Sequence, residues 1–263
     1  MSGAPELSAL TSPRVLQEQK LDVELPFLVH PEWRAAYPWL AQGITARLEG
    51  EPFDMSLFGS TPSALIHRRW AALRRVNGIP HAVHAHQVHA GGVLRHRAGH
   101  AGLLVADAAD GHATGATGVL MTVSVADCVP VSLVEPRRRA AALLHAGWRG
   151  VAAGILENGV AALHEDFGCE PAELEVHFGP AICGACYEVG PEVHQALGSS
   201  QVGRAPIDLR TLLAERAHRL GIATAHTTIS GFCTRCDATV LHSHRGSARE
   251  RQVAVLGIRA PLD

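Results

Sequence analysis

The sequence predicts a mixed α/β domain of the α+β kind, in a single unit. Three observations carry this expectation. Residues 118–134 and 140–145 form apolar, partly β-branched runs of the kind buried strands show. Other segments repeat their apolar residues every three or four positions, as amphipathic helices do. No internal repeat or linker-like low-complexity stretch divides the 263 residues, of which 47% are hydrophobic.

In chain order, residues 1–24 are polar and mixed and read as an N-terminal arm or an edge strand, which places the domain at 25–263. The runs at 118–134 (GVLMTVSVADCVPVSLV) and 140–145 (AAALLH) each read as a buried strand. Between them Arg137, Arg138 and Arg139 follow Pro136 as a solvated turn. Gly147-Trp148-Arg149-Gly150 then breaks the pattern, and Val151, Ile155, Val160 and Leu163 predict a helix over 151–166. Residues 173–182 (ELEVHFGPAI) read as another strand. Leu209, Leu212, Leu213, Ala217 and Leu220 share one face of a helix over 208–220, with Asp208 as N-cap and Gly221 as the stop. Residues 222–231 and 251–258 close the chain as strands. Strand order is not encoded in this pattern.

Composition narrows the function classes. The charged fraction is 18% and the formal net charge −2, which argues against a nucleic-acid binder, because phosphate contacts require a basic excess. No apolar run reaches the 18 residues of a membrane span, and the first residues lack an apolar stretch behind a basic flank. The expectation is a cytoplasmic protein with reduced thiols and no membrane partner. Histidine is over-represented, with 17 copies against 2 tyrosines.

Three constellations of metal-ligating side chains follow. The first is His81, His84, His86 and His89; its His84-Ala-His86-Gln-Val-His89 run approaches the HxHxDH pattern of dinuclear hydrolases. Val88 stands where that pattern needs a carboxylate, so His81 and His84 read as strand or surface residues. The second is two CxxC pairs, Cys183/Cys186 and Cys233/Cys236, the usual signature of a structural Cys₄ zinc. Their separation far exceeds that of a zinc ribbon, and reduced cysteines also serve as small core residues. The third is Asp127-Cys128 followed by His145, at the ends of two apolar strands that adjacency would bring together. A thiolate beside an imidazole serves either as nucleophile and base or as two ligands of a metal.

The ordered set QVH (87–89), ADCVPV (126–131), HAGWRG (145–150), GPAI…CYEVG (179–190) and CT (233–234) resembles the laccase-domain family, over about residues 43–258. Its members are variously called multicopper polyphenol oxidases, purine nucleoside phosphorylases and peptidoglycan editing factors. The resemblance implies a layered α-β-β-α sandwich similar to cysteine hydrolases. It also implies one metal ion held by His89, Cys128 and His145, with zinc expected and copper the alternative. Arg47, in GITARLEG, resembles the family's Thr-Arg motif with Ala46 in place of the threonine. Other departures are Ala90 for the glycine after QVH, Ser243-His244-Arg245-Gly246 with a second arginine missing, and a cysteine pair split into Cys183 and Cys186.

Two neutral imidazoles and one thiolate leave a tetrahedral zinc one open position, and water bound there is acidified toward pKa ~7. The resemblance therefore implies a purine nucleoside and phosphate as small-molecule partners. The reactions are phosphorolysis of adenosine, inosine or methylthioadenosine, and deamination of adenosine to inosine. Arg149 with the backbone amides of Gly147 to Gly150 is the candidate phosphate site. Asp127 is either a general acid or base or a carboxylate bonded to nearby amides. Arg47, His86 and His244 are candidate pocket residues. The alternatives are a Cys128 nucleophile with a His145 base in an amidase acting on a peptidoglycan precursor, and a multicopper polyphenol oxidase, which one His₂Cys site does not equip for electron storage. A structural clip in a partner-binding protein is the non-enzymatic alternative. Oligomeric state stays open.

Overall fold

A computed structural model describes residues 13–21, 23–48, 53–97 and 101–261. The first third of the chain holds β1 (Arg14–Leu16), β2 (Gln19–Leu21), β3 (Phe27–Val29), α1 (Pro31–Ala36), β4 (Leu40–Thr45), α2 (Ser63–Asn77) and β5 (His81–Ala85). Then come β6 (Val93–His96), β7 (Gly102–Ala106), β8 (Gly111–Thr114), β9 (Val119–Val125), β10 (Val129–Glu135), β11 (Ala140–Ala146), α3 (Trp148–Ala152) and α4 (Ile155–Phe167). The last third holds β12 (Glu175–Phe178), β13 (Glu188–Val189), α5 (Pro191–Ala196), β14 (Ala205–Pro206), α6 (Leu209–Arg219), β15 (Thr227–Ser230) and β16 (Gln252–Ile258).

The strands form two seven-stranded sheets, both mixed. One runs β1-β15-β12-β10-β11-β8-β6, the other β2-β3-β4-β16-β9-β5-β7. Side chains alternate between the faces of a strand, and this alternation builds the layers. Along β11, Ala140, Ala142, Leu144 and Ala146 pack outward with α4 and α6, whereas Ala141 and Leu143 pack inward against the second sheet. Along β16, Ala254 and Leu256 meet them in that central layer, while Val253 and Val255 face α2 through Trp70 and Leu73. The order is helix, sheet, sheet, helix. The mixed α/β architecture in one domain, implied by the strand and helix patterns and by the family resemblance, is the observed one.

Individual elements refine the sequence reading. The run 118–134 is two strands, not one: β9 lies in the second sheet and β10 in the first, with the chain crossing between them at residues 126–128. Both strands are buried, so the apolar pattern runs through the crossing without a mark. The helix expected over 151–166 starts at Trp148 as α3 and restarts as α4 after Gly154, whose φ of 76° no continuous helix accepts. The strand expected at 173–182 is confined to β12. For α6, Asp208 is the N-cap, its carboxylate accepting from the amides of Arg210 and Thr211. Arg137, Arg138 and Arg139 lie on an exposed turn. Within residues 1–24, β1 and β2 are edge strands of the two sheets; residues 1–12 lie outside the described residues.

Candidate metal centre

The crossing at 126–128 shapes the site. Asp127 turns the chain with φ 91°, a conformation that short polar side chains accept more readily than others. Its buried carboxylate is bonded on both oxygens: Oδ1 accepts from the Thr234 hydroxyl at 2.6 Å and Oδ2 from the Arg245 amide at 2.7 Å. Its carbonyl accepts from the Ile182 amide. This brace delivers Cys128 to the start of β10. The antiparallel register pairs Pro130 with His145 and Val129 with Ala146, so Cys128 and His145 sit at the same sheet end.

His89 lies in the loop that leads from β5 of the second sheet to β6 of the first, with φ 59°. Asp110, immediately before β8 and fully buried, fixes that loop. Its Oδ1 accepts from the His89 amide at 2.9 Å; its Oδ2 accepts from the amides of Val88 at 3.1 Å and Ala90 at 2.7 Å. The same Oδ1 lies 2.8 Å from Nδ1 of His145. One carboxylate therefore sets the position of one histidine through its backbone and the orientation of the other through its ring. With Nδ1 of His145 bonded to Asp110, Nε2 is left for the thiol. The rings of His89 and His145 meet edge-on, 4.8 Å between centroids, and ligand atoms of His89, Cys128 and His145 all lie within 4.8 Å of one another.

Gly147 closes this arrangement. A Cβ there would stand 2.9 Å from the sulfur of Cys128 and 3.2 Å from Cδ2 of His89, so only glycine fits. A Cβ at the buried Gly150 would approach the carbonyls of Ala90 and His145 at 3.2 and 3.4 Å. The electrostatics match. Burial opposes a thiolate at Cys128, but the charge and hydrogen bonds of His145 and His89 bring the thiol down to about 6. Burial likewise opposes a charged His145, yet Cys128 and Asp110 raise it to about 9. Asp110 is held below the ordinary carboxyl value against its own desolvation by His145 and the amides of Ala90 and His89. Imidazole and thiolate donors suit zinc or copper, and a carboxylate behind a histidine ligand is a recurring support of such ions. The three residues fit a His₂Cys centre.

The other expected residues are spread around it. His86 is exposed, its ring 5.3 Å from that of Phe58. Arg149 is exposed over its neighbour Trp148, 4.3 Å from the ring centroid. His244 is exposed in the turn before Arg245. Arg47 lies in a separate cleft of about 440 Å³ with Lys20 and Thr239, its guanidinium donating to the Ala238 carbonyl at 2.6 Å. His81 and His84 are buried in β5, and His84 bonds Thr122 at 2.9 Å. Asp110 lies outside the sequence motifs, whereas Thr234, Tyr187 and Arg245 lie within them but carry no assigned role there. Burial first, then the charge of Cys128, raises the Tyr187 phenol, and Arg245 and Arg149 act on it in the opposite sense. Arg245 also caps the Tyr187 ring at 4.9 Å.

The fold and this site define a single-domain α/β protein with one His₂Cys candidate metal centre at the junction of two sheets. The chain belongs to the multi-copper polyphenol oxidoreductase laccase family, whose sequence model matches residues 52–259. A purine nucleoside phosphorylase of Xylella fastidiosa strain Temecula1 is 31% identical over 225 residues, which are 78% of this chain and 85% of that protein. A protein named adenosine deaminase RL5, from an unknown prokaryotic organism, is 32% identical over 148 residues, 52% of this chain and 56% of that protein. The crystal structure of YlmD from Geobacillus stearothermophilus shares the fold with a TM-score of 0.80 at 24% identity, covering 94% of this chain and 100% of that one.

Proposed function

We propose that the protein is a zinc-dependent purine nucleoside enzyme, carrying out phosphorolysis of adenosine, inosine or methylthioadenosine and deamination of adenosine to inosine. The observation that carries this reading is the convergence of His89, Cys128 and His145 on one point with Asp110 behind them, in a family whose relatives include proteins named for both activities. His89, Cys128 and His145 would hold the zinc, which would supply Lewis acidity to a bound water or phosphate.

The chain's own residues supply the rest. Asp110 keeps His145 oriented and the His89 loop in place. Arg149 and Arg245, acting on the same Tyr187, provide positive charge for a phosphate. In phosphorolysis a phosphate oxygen bonds C1′ as the bond from C1′ to the purine nitrogen breaks, and the base leaves with a proton. In deamination water adds at C6 and ammonia leaves. The exposed His86 and His244 are proposed to bound the nucleoside, whereas the half-buried Arg47 lines its own cleft with Lys20 and Thr239. Asp127 is proposed to keep Cys128 placed through its bonds to Thr234 and Arg245. A multicopper oxidase reading is weaker, because the two candidate ligand groups among the described residues are this three-residue set and an all-cysteine set.

The test is to incubate zinc-loaded protein with adenosine and phosphate and separate the products. Adenine with ribose 1-phosphate, or inosine, is expected above a Cys128→Ala control; neither appearing overturns the reading. A second reading is favoured by the geometry of Cys128 beside His145, whose Nδ1 is held by Asp110, an arrangement that lowers the thiol and raises the imidazole as in the pairing of a cysteine nucleophile with its base. An amidase of that kind acts without metal. It predicts turnover that chelators leave intact, whereas the zinc enzyme loses activity on chelation and regains it on zinc addition.

A further inference from the structure

Four of the six cysteines lie outside the His89–Cys128–His145 centre and converge on a second point. Cys183 and Cys186 flank a short turn before β13; Cys233 and Cys236 flank another after β15. An isolated bridge between Ala181 and Cys233, reinforced by the Thr234 amide donating to the Ala181 carbonyl at 3.1 Å, docks the two turns side by side. All four sulfurs then fall within 4.8 Å of one another. In a tetrahedron with metal–sulfur bonds of about 2.3 Å the sulfurs stand roughly 3.8 Å apart. Sγ of Cys186 and Sγ of Cys236 are 3.5 Å apart, close to that edge and far beyond the ~2.05 Å of a disulfide.

The surrounding hydrogen bonds point the same way. Sγ of Cys233 accepts from the Cys183 amide at 3.3 Å and from the Cys236 amide at 3.4 Å. A neutral thiol is a weak acceptor, and two amides aimed at one sulfur are suited to a thiolate. Arg235, inside the second CxxC pair, donates to the Cys186 carbonyl at 3.3 Å, which places a cation beside a cluster that would carry negative charge. Cys233 is buried and Cys236 exposed, so the sulfurs are anchored from below and reachable from solvent.

We propose that Cys183, Cys186, Cys233 and Cys236 form a tetrathiolate zinc site, separate from the His₂Cys centre, that clamps the 181–187 segment to the 233–237 turn. Softness of the four donors selects zinc over harder divalent ions. Three of the clamp's neighbours define its role: Thr234 bonds Asp127, Tyr187 follows Cys186 directly, and Arg245 stacks on Tyr187. The clamp is structural, with no position left open for substrate.

The experiment is metal analysis with zinc-edge X-ray absorption on the full chain, purified anaerobically after growth with zinc. Wild type is expected to carry two zinc ions, and the His89→Ala/His145→Ala variant one, surrounded by four sulfurs at about 2.3 Å. Cys186→Ser/Cys236→Ser is expected to lose one of the two ions and to melt at lower temperature. If the cysteine variant does not fold, the wild-type stoichiometry and the sulfur shell of the histidine variant still decide. Retained zinc with nitrogen or oxygen ligands, or a histidine variant free of zinc, overturns the proposal, as does a Cys186–Cys236 disulfide in the anaerobic protein. Failure of the nucleoside assay leaves this result untouched, because the two ions are counted separately.

Discussion

Replacing Asp110 by asparagine keeps the volume of the side chain and removes its capacity to accept on both sides. In the folded protein the carboxylate meets four donors: the amides of Val88, His89 and Ala90, and the ring of His145. An asparagine must turn its NH₂ toward one pair. Facing Val88 and Ala90, it leaves two partly buried amides without an acceptor, at about 1–3 kcal/mol each. Facing His89 and His145, it opposes one amide and forces Nδ1 of His145 to accept, so Nε2 carries the proton and can no longer ligate. The first orientation costs about 2–6 kcal/mol, a large share of the ~5–15 kcal/mol that holds a domain together. The second costs metal affinity, about 10–100-fold for a lost carboxylate behind a histidine ligand. Thermal melts of the metal-free Asp110→Asn protein and a zinc competition titration against a chelator measure both. An unchanged melting temperature together with wild-type zinc affinity would refute the assignment of Asp110 as the organising residue.

Other outcomes follow from the same geometry. Gly147→Ala pushes a methyl against Cys128 and His89, so the protein is expected to keep its far-ultraviolet circular dichroism and lose zinc at this centre, read by metal analysis. In metal-free protein, Cys128 is depressed to about 6, so thiolate is present above that pH and lost below it. Iodoacetamide labelling of Cys128, followed by peptide mass spectrometry, should be half-maximal near pH 6 rather than near the ~8.5 of a free cysteine. Leu144→Ala empties a fully buried position between β11 and the helices and should cost about 2–5 kcal/mol in urea denaturation, with zinc content unchanged.

The parts of the fold legible in the sequence are those whose burial is one-sided. The α6 helix shows its period because one face meets the core and the other meets water, and Asp208 marks its start. The crossing at 126–128 is hidden for the opposite reason. Both β9 and β10 are buried on both faces, so the apolar run continues straight through a change of sheet. Cys128 and His145 could be paired from strand adjacency, and His89 from its motif. Asp110 could not: it sits in an ordinary polar stretch, ADAADGH, and its role exists only in the three-dimensional meeting of the His89 loop with β11. Arg47 shows the reverse case, a motif residue whose hydrogen bonds run to residues 238–240 in a separate cleft.

The change of sheet at Asp127 also bears on how the donors of the centre are brought together. Cys128 and His145 lie at the end of one sheet, and His89 lies midway along the loop that passes from β5 of the other sheet to β6 of the first. No local segment holds all three donors, so an ion cannot template the chain as it does in a zinc finger. Bringing them together takes contacts between residues distant in sequence, so the centre depends on the assembled sandwich and not on any one element. An ion bound at this centre would therefore report on the assembled sandwich, because only that sandwich presents the three donors together.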